Sequence, residues 1–342
     1  MMKRIFKKLS FILVLVFALG LTSCGKLPVA DSGKIKIVCT TFAQYDWVRE
    51  IAGERADELE IILLGNGGID LHSYQPTADD IVTISDCDVF IYIGGVSDGW
   101  VESTLEQATN EDMIVINMMI VLEDRLREEE IVEGMEAHHH EEGEEQEEHN
   151  EEEHQEEHIN VAEYDEHVWL SLTNAGLVCD AITEALSSVD KDNSSVYEAN
   201  NKAYQDKLMA LDTEYKNAVA TAKYDTLIFG DRFPFIYMLK DYGINYYAAF
   251  TGCSSESEAS FETVAFLAEK VDELEVPAII VVDGSTEDLA NTILESAKST
   301  GQEILILDSL QSMSSADIEA GKTYLGTMEE NLVVIKTALG CE

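Results

Sequence analysis

Imidazole is the side chain best suited to binding transition metals near neutral pH, and this chain places its imidazoles unevenly. Six of its eight histidines, His138, His139, His140, His149, His154 and His158, lie between Ala137 and His158 among eleven glutamates. Imidazole and carboxylate together suit zinc and its neighbours, whereas magnesium and calcium sites use oxygen almost alone. The other two, His72 and His167, stand apart in turn-like segments next to aromatic residues, Asp70-Leu71-His72-Ser73-Tyr74 and Asp165-Glu166-His167-Val168-Trp169. The pattern implies two tasks: a loose cation collector in the crowded stretch, and a specific site at the isolated pair.

Carboxylates that could join the pair are found by asking where strands end, because ligands of open parallel sheets bind beyond the carboxyl ends of the strands. Asp231 comes two residues after the apolar run Thr226 to Phe229. Asp283 directly follows Ala278 to Val282, and Asp308 directly follows Glu303 to Leu307. Each alone is as readily a helix cap as a ligand. Catalytic signatures are absent. His154-Gln155-Glu156-Glu157-His158 has the spacing of a zinc-protease helix without glutamate at its second position, no Gly-x-Ser-x-Gly occurs, and Gly65-Asn66-Gly67-Gly68 lacks the lysine of a phosphate loop.

The elements that would position these residues alternate between short β-branched runs and helical periodicity. Lys34 to Thr41, Leu59 to Leu64, Val89 to Ile93 and Met113 to Asn117 read as strands, with helices between them. Residues 128–160 lack the apolar surface needed to offset ordering entropy, so this His- and Glu-rich loop is expected to be disordered without metal. From about Ser194 to Lys223 the chain has neither Gly nor Pro, with Leu208, Leu211, Tyr215 and Val219 on one face. That length suits a rigid rod joining two lobes. The strand and helix pattern then restarts, with strands near Thr226 to Phe229, Tyr246 to Phe250, Ala278 to Val282 and Glu303 to Leu307. The expected architecture is α/β: two Rossmann-like lobes with mostly parallel sheets, joined by one long helix. The boundaries are 34–190 for the first lobe, 191–223 for the linking helix and 224–342 for the second lobe.

The first residues carry Lys3, Arg4, Lys7 and Lys8 before an apolar run from Leu9 to Leu21, which reads as a secretory signal over residues 1–23. Leu21-Thr22-Ser23-Cys24 resembles a bacterial lipobox, which implies lipidation of Cys24 and a tether over residues 24–33. A formal net charge of -45 excludes nucleic acid as a partner and concentrates cations. The remaining cysteines, Cys39, Cys87, Cys179, Cys253 and Cys341, form no Cys-x-x-Cys pair and are expected to be small core residues.

Asp-Leu-His72-Ser-Tyr-Gln-Pro-Thr and Asp-Glu-His167-Val-Trp-Leu resemble the two histidine motifs of the zinc and manganese solute-binding lipoproteins that feed ABC transporters. The likeness runs from about Lys34 to Leu339, and the zinc-type members carry a His- and acid-rich loop between the motifs. It implies a metal site in the interlobe cleft, with His72 and His167 as first and second ligands and Asp308 as a late carboxylate ligand. At the third position, where the family has histidine or glutamate, this chain has Arg232, which cannot bind zinc. Asp231 beside it is the substitute, Asp283 the reserve, and Arg232 would hold a ligating carboxylate through its guanidinium without touching the ion.

The expected function is therefore capture of Zn2+ outside the cytoplasm by a lipid-anchored monomer that delivers it to a membrane permease, with no enzymatic activity. Manganese or iron in the same role is the nearest alternative. A secreted zinc-dependent hydrolase, or a surface metal buffer or adhesin, is the alternative from another class.

Overall fold

The structure is a computed structural model that describes residues 33–65, 71–136, 164–252 and 259–341. Ile35 to Glu342 form one compact unit. Its first half contains β1 (Lys36–Cys39), α1 (Phe42–Ala52), β2 (Glu60–Leu63), α2 (Ala78–Ser85), β3 (Val89–Tyr92), α3 (Val101–Leu105), β4 (Ile114–Asn117) and the short α4 (Met118–Val121). Two helices follow, α5 (Leu172–Val189) and α6 (Ser194–Ala220). The second half runs β5 (Thr226–Phe233), α7 (Ile236–Tyr242), β6 (Asn245–Thr251), α8 (Phe261–Leu274), β7 (Ala278–Val282), α9 (Asp288–Ser296), β8 (Glu303–Leu307), α10 (Ser315–Glu319) and α11 (Tyr324–Ala338).

Both sheets are parallel and share one plan, with strand orders β2-β1-β3-β4 and β6-β5-β7-β8. The two-residue period of the strands divides the core. Ile37, Cys39, Val89 and Ile91 face a large central cluster, while Val38 and Phe90 face a satellite core beneath α2 and α3. The second sheet repeats this. Ile280 and Val282 face the central cluster, and Ile279 and Val281 face a satellite under α8 and α9. Strands covered on both faces must be apolar throughout, which is why they read as continuous β-branched runs.

The central cluster is continuous across both lobes and is filled by one face each of α1, α5, α6 and α11. Helix α6 buries Tyr197, Asn201, Tyr204, Leu208, Leu211, Tyr215 and Ala218, alternate steps of four and three residues that keep one stripe inward. Its 27 residues span about 40 Å. Full burial of a leucine such as Leu208 or Leu211 contributes roughly 1.5–3 kcal/mol, and Tyr215 adds a hydrogen bond from its hydroxyl to Met328 O at 2.6 Å. The linking helix is thus part of the core.

Two sequence expectations are corrected. Residues 128–136, assigned above to the loop, pack on the second lobe. Glu128 forms an antiparallel bridge with Tyr164, Glu130 pairs with Lys240 at 2.8 Å, and Glu136 N donates to Ala249 O at 2.9 Å. Those pairings supply the partners that composition alone could not reveal. The remainder of the loop, with all six of its histidines, lies outside the described residues, as do Cys24 and the signal segment. Strand β5 also runs on past Phe229 through a register shift, so Asp231 lies within the strand rather than in a loop beyond it. Among the described cysteines none forms a disulfide, and Cys39, Cys87 and Cys179 are buried. No described helix is long and apolar enough to cross a membrane.

Candidate metal centre

His72 sits in a single helical turn, Leu71–Ser73, between β2 and α2. Its Nδ1 is 2.8 Å from the Ser97 hydroxyl, which belongs to the loop after β3. Asp98 shapes that loop by accepting the amides of Ile93 at 2.8 Å and Gly94 at 2.9 Å. Burial pushes the Asp98 carboxyl up to about 6, against the pull of those two amides.

His167 is fully buried, at the start of the turn Val168–Leu170 that leads into α5. Its backbone N and ring Nδ1 both approach Asp165 Oδ1, at 2.8 and 3.0 Å. A carboxylate facing both groups accepts from both, so Nδ1 carries the hydrogen and Nε2 presents a lone pair. The segment is gripped by the second lobe: Tyr237 donates its hydroxyl to Asp165 O at 2.8 Å, and Tyr324 donates to Trp169 O at 2.6 Å. Gly252, at the end of β6, is a close neighbour. A methyl group there would approach Phe233 O, Asp165 Oδ2 and His167 Cε1 at 2.9–3.1 Å.

These constraints bring His72 Nε2 and His167 Nε2 within 3.2 Å of each other. Two nitrogens bound tetrahedrally to zinc at 2.0–2.1 Å stand about 3.3 Å apart. The two imidazoles are therefore spaced as two ligands of one tetrahedral ion would be, and their outer ring nitrogens contact Asp165 and Ser97.

The aspartates at the strand ends are engaged within their own sheet. Asp231 accepts from Arg232 N at 2.8 Å and Val282 N at 3.1 Å. Asp283 accepts from the amide and hydroxyl of Ser309, each at 2.7 Å, and its carboxyl is raised by burial and then by the charge of Asp308. Asp308 accepts from Leu310 N at 2.8 Å and pairs with Lys322 at 3.3 Å. Asp231 thus staples β5 to β7 and Asp283 staples β7 to the loop after β8, while Asp308, at the end of the edge strand, closes its own loop. Arg232 lies in β5 opposite Phe250. Among the described residues no three His, Cys, Asp or Glu side chains are grouped to hold a metal ion. The site is thus a histidine pair with an acidic and hydroxyl surround. Sequence reasoning missed Asp165, Glu166, Ser97 and Gly252 as parts of it; the two acids stand directly before His167, which is the signal that could have found them.

The family described as "Zinc-uptake complex component A periplasmic" (ZnuA) matches residues 37–338. The chain belongs to this family. Similar to it is the zinc-binding lipoprotein AdcA of Streptococcus pneumoniae, 31% identical over 334 residues that make up 96% of this chain and 60% of the relative. The chain therefore spans about 60% of the length of that family member. The high-affinity zinc uptake system protein ZnuA of Bacillus subtilis is 28% identical and is matched over 98% of both chains. Among solved structures, the Zn(II)-bound ZnuA-like domain of Streptococcus pneumoniae AdcA superposes with a TM-score of 0.67 at 26% identity, covering 90% of this chain and 99% of that domain. The metal-dependent lipoprotein YcdH of Bacillus subtilis gives 0.69 at 25% identity, covering 90% and 99%. With these structures the chain shares its fold, here two parallel-sheet lobes with a long helix.

Proposed function

We propose that this protein is an extracytoplasmic solute-binding protein that captures Zn2+ between its lobes and delivers it to an ABC permease, held at the membrane by a lipid on Cys24. The observation that carries the reading is the 3.2 Å separation of His72 Nε2 and His167 Nε2, which suits two ligands of tetrahedral zinc. The names of the relatives, zinc-binding lipoprotein AdcA and the zinc uptake protein ZnuA, point the same way. His72 and His167 are the proposed ligands. Asp308 is the proposed late carboxylate, reaching the ion by leaving Lys322, with Asp231 and Asp283 behind it and Arg232 as an outer support. The histidines from His138 to His158 are the proposed collector, gathering zinc for the pair. Such a protein acts as a monomer by reversible binding and needs no catalytic group.

Manganese is the weaker choice, because it favours more oxygen ligands than a site centred on two imidazoles offers. Metal analysis of the mature protein tests the reading. One tightly held zinc per chain, retained when residues 137–158 are deleted and lost in His72→Ala and His167→Ala, is the expected result. Loss in the deletion alone would remove the pair from consideration.

A further inference from the structure

Glu166 lies between Asp165 and His167 in sequence, yet its role is not accounted for by them. It is 2% exposed. Its Oε1 accepts from Ser97 N at 2.8 Å. Its Oε2 is buried without a hydrogen-bond partner and lies 3.8 Å from His72 Nδ1. A buried carboxylate oxygen left unpaired is costly, and one kept beside a ligand invites a functional explanation. The backbone has also been cleared for it, because a Cβ at Gly95 would overlap the Glu166 side chain.

The hydrogen positions supply that explanation. His167 has its hydrogen on Nδ1, facing Asp165, so in the 3.2 Å contact between the rings His72 Nε2–H is the donor and His167 Nε2 the acceptor. His72 Nδ1 then accepts from the Ser97 hydroxyl. A metal ion needs both Nε2 lone pairs. His72 must therefore exchange tautomers: the hydrogen on Nε2 leaves to solvent, one from solvent joins Nδ1, and the ring stays neutral. Nδ1 becomes a donor facing two oxygens, the Ser97 hydroxyl at 2.8 Å and Glu166 Oε2 at 3.8 Å, and of these the buried carboxylate oxygen is the one without a hydrogen-bond partner.

We propose that Glu166 is a positioning residue for His72, receiving the Nδ1–H that appears when metal binds and so fixing the ligand in its metal-binding tautomer. This rests on the reading of His72 and His167 as ligands. Under it, the tripeptide Asp165-Glu166-His167 orients both imidazoles, Asp165 serving His167 and Glu166 serving His72 across from Ser97. Loading is then communicated from one ligand segment to the other through a single carboxylate.

The test compares zinc affinity of the full mature chain, by competition with a chelator, in Glu166→Gln, Glu166→Ala, His72→Ala and His167→Ala. Imidazole nitrogen NMR of histidine-labelled protein supplies the second readout. Gln keeps an oxygen for Ser97 N and the side-chain volume, so metal-free Glu166→Gln is expected to melt close to the parent. Its zinc affinity should fall roughly 10–100-fold, the usual cost of losing an outer-shell partner. The His72 Nδ1–H resonance of the zinc-loaded protein should shift, while that of His167 stays. Two results overturn the proposal alone: unchanged zinc affinity in Glu166→Gln while the histidine variants lose zinc, or an unmoved His72 signal. Parent-like zinc binding in His72→Ala or His167→Ala overturns the ligand assignment, and this proposal with it.

Discussion

Trp169 donates its indole N–H to the carbonyl oxygen of Ser309 at 2.9 Å, which fastens the segment carrying His167 to the loop directly after Asp308. His167 lies before the linking helix in sequence, but its neighbours Asp165 and Trp169 are bonded to Tyr237, Ser309 and Tyr324, all beyond it. His72 is held instead by Ser97, in the loop after β3. The two imidazoles thus meet at the junction of the lobes, and under the proposed function an ion between them would join elements fixed to different sheets. One hydrophobic core runs through both lobes, so wide separation of the lobes would break that core, whereas movement of these turns would not.

Removing either imidazole takes away a proposed ligand and leaves its partner alone. Zinc affinity of His72→Ala and of His167→Ala should fall by more than the roughly 10–100-fold that loss of an outer-shell group costs, and Asp165→Asn should fall within that range. Titration calorimetry on the loop-deleted chain gives the comparison without interference from the collector. An Asp165→Asn loss as large as that of the histidine variants would mean that Asp165 binds the ion itself.

Asp308 can reach an ion only by giving up Lys322, whose amine is pulled down by burial and held above its ordinary value by the charges of Asp308 and then Asp317. Lys322→Met should therefore tighten zinc binding if Asp308 is a ligand, while the exposed pair itself contributes only about 0–1 kcal/mol to stability. Asp308→Asn should weaken zinc less than either histidine variant. Equal affinity in the parent, Lys322→Met and Asp308→Asn would leave Asp308 with a structural task alone.

The periodicity of the strands and the uninterrupted helix carried most of the architecture. All eight expected strands form, two of them, Ala278–Val282 and Glu303–Leu307, with the bounds read from the sequence. Buried parallel strands announce themselves because both faces must be apolar. The isolation of His72 and His167 likewise picked out the pair that the fold brings together. The partners of those histidines were less legible. Asp231, Asp283 and Asp308 were read as converging on the site because they follow strands, but an acid at a strand end is equally suited to the amides of the next strand, and composition cannot tell these apart. Glu166 and Ser97 meet only through tertiary contact across 69 positions, a separation that leaves no local pattern.

Deleting residues 137–158 should lower the number of zinc ions bound per chain while sparing the tight site. The anchors on either side, Glu136 on Ala249 and Tyr164 on Glu128, lie outside the deletion and keep the ends in place. The extra zinc bound by the full chain should be lost as pH falls through about 6.5, the ordinary imidazole range, since a protonated ring cannot coordinate. Equilibrium dialysis at several pH values measures this, and unchanged stoichiometry in the deletion would dismiss the collector.

Asp46 provides a separate test of how the lobes are joined. It lies in α1 and accepts from Tyr324 N at the start of α11, at 2.8 Å. Burial raises its carboxyl to about 7, with Glu50 adding to the rise while the Tyr324 amide, Arg49 and Lys207 oppose it. The folded state therefore binds this proton more strongly than the unfolded chain, whose aspartate titrates near 3.9. The resulting stabilisation is complete below about pH 4 and is lost as pH rises to about 7, because there the unfolded chain has released the proton and the folded chain has not. Asp46→Asn keeps an oxygen for the Tyr324 amide and removes the titration. Relative to the parent, its melting temperature should climb from pH 4 to pH 7 and then level off, as followed by thermal melts in matched buffers. A constant difference over that range would show that Asp46 ionises as freely in the fold as in the unfolded chain.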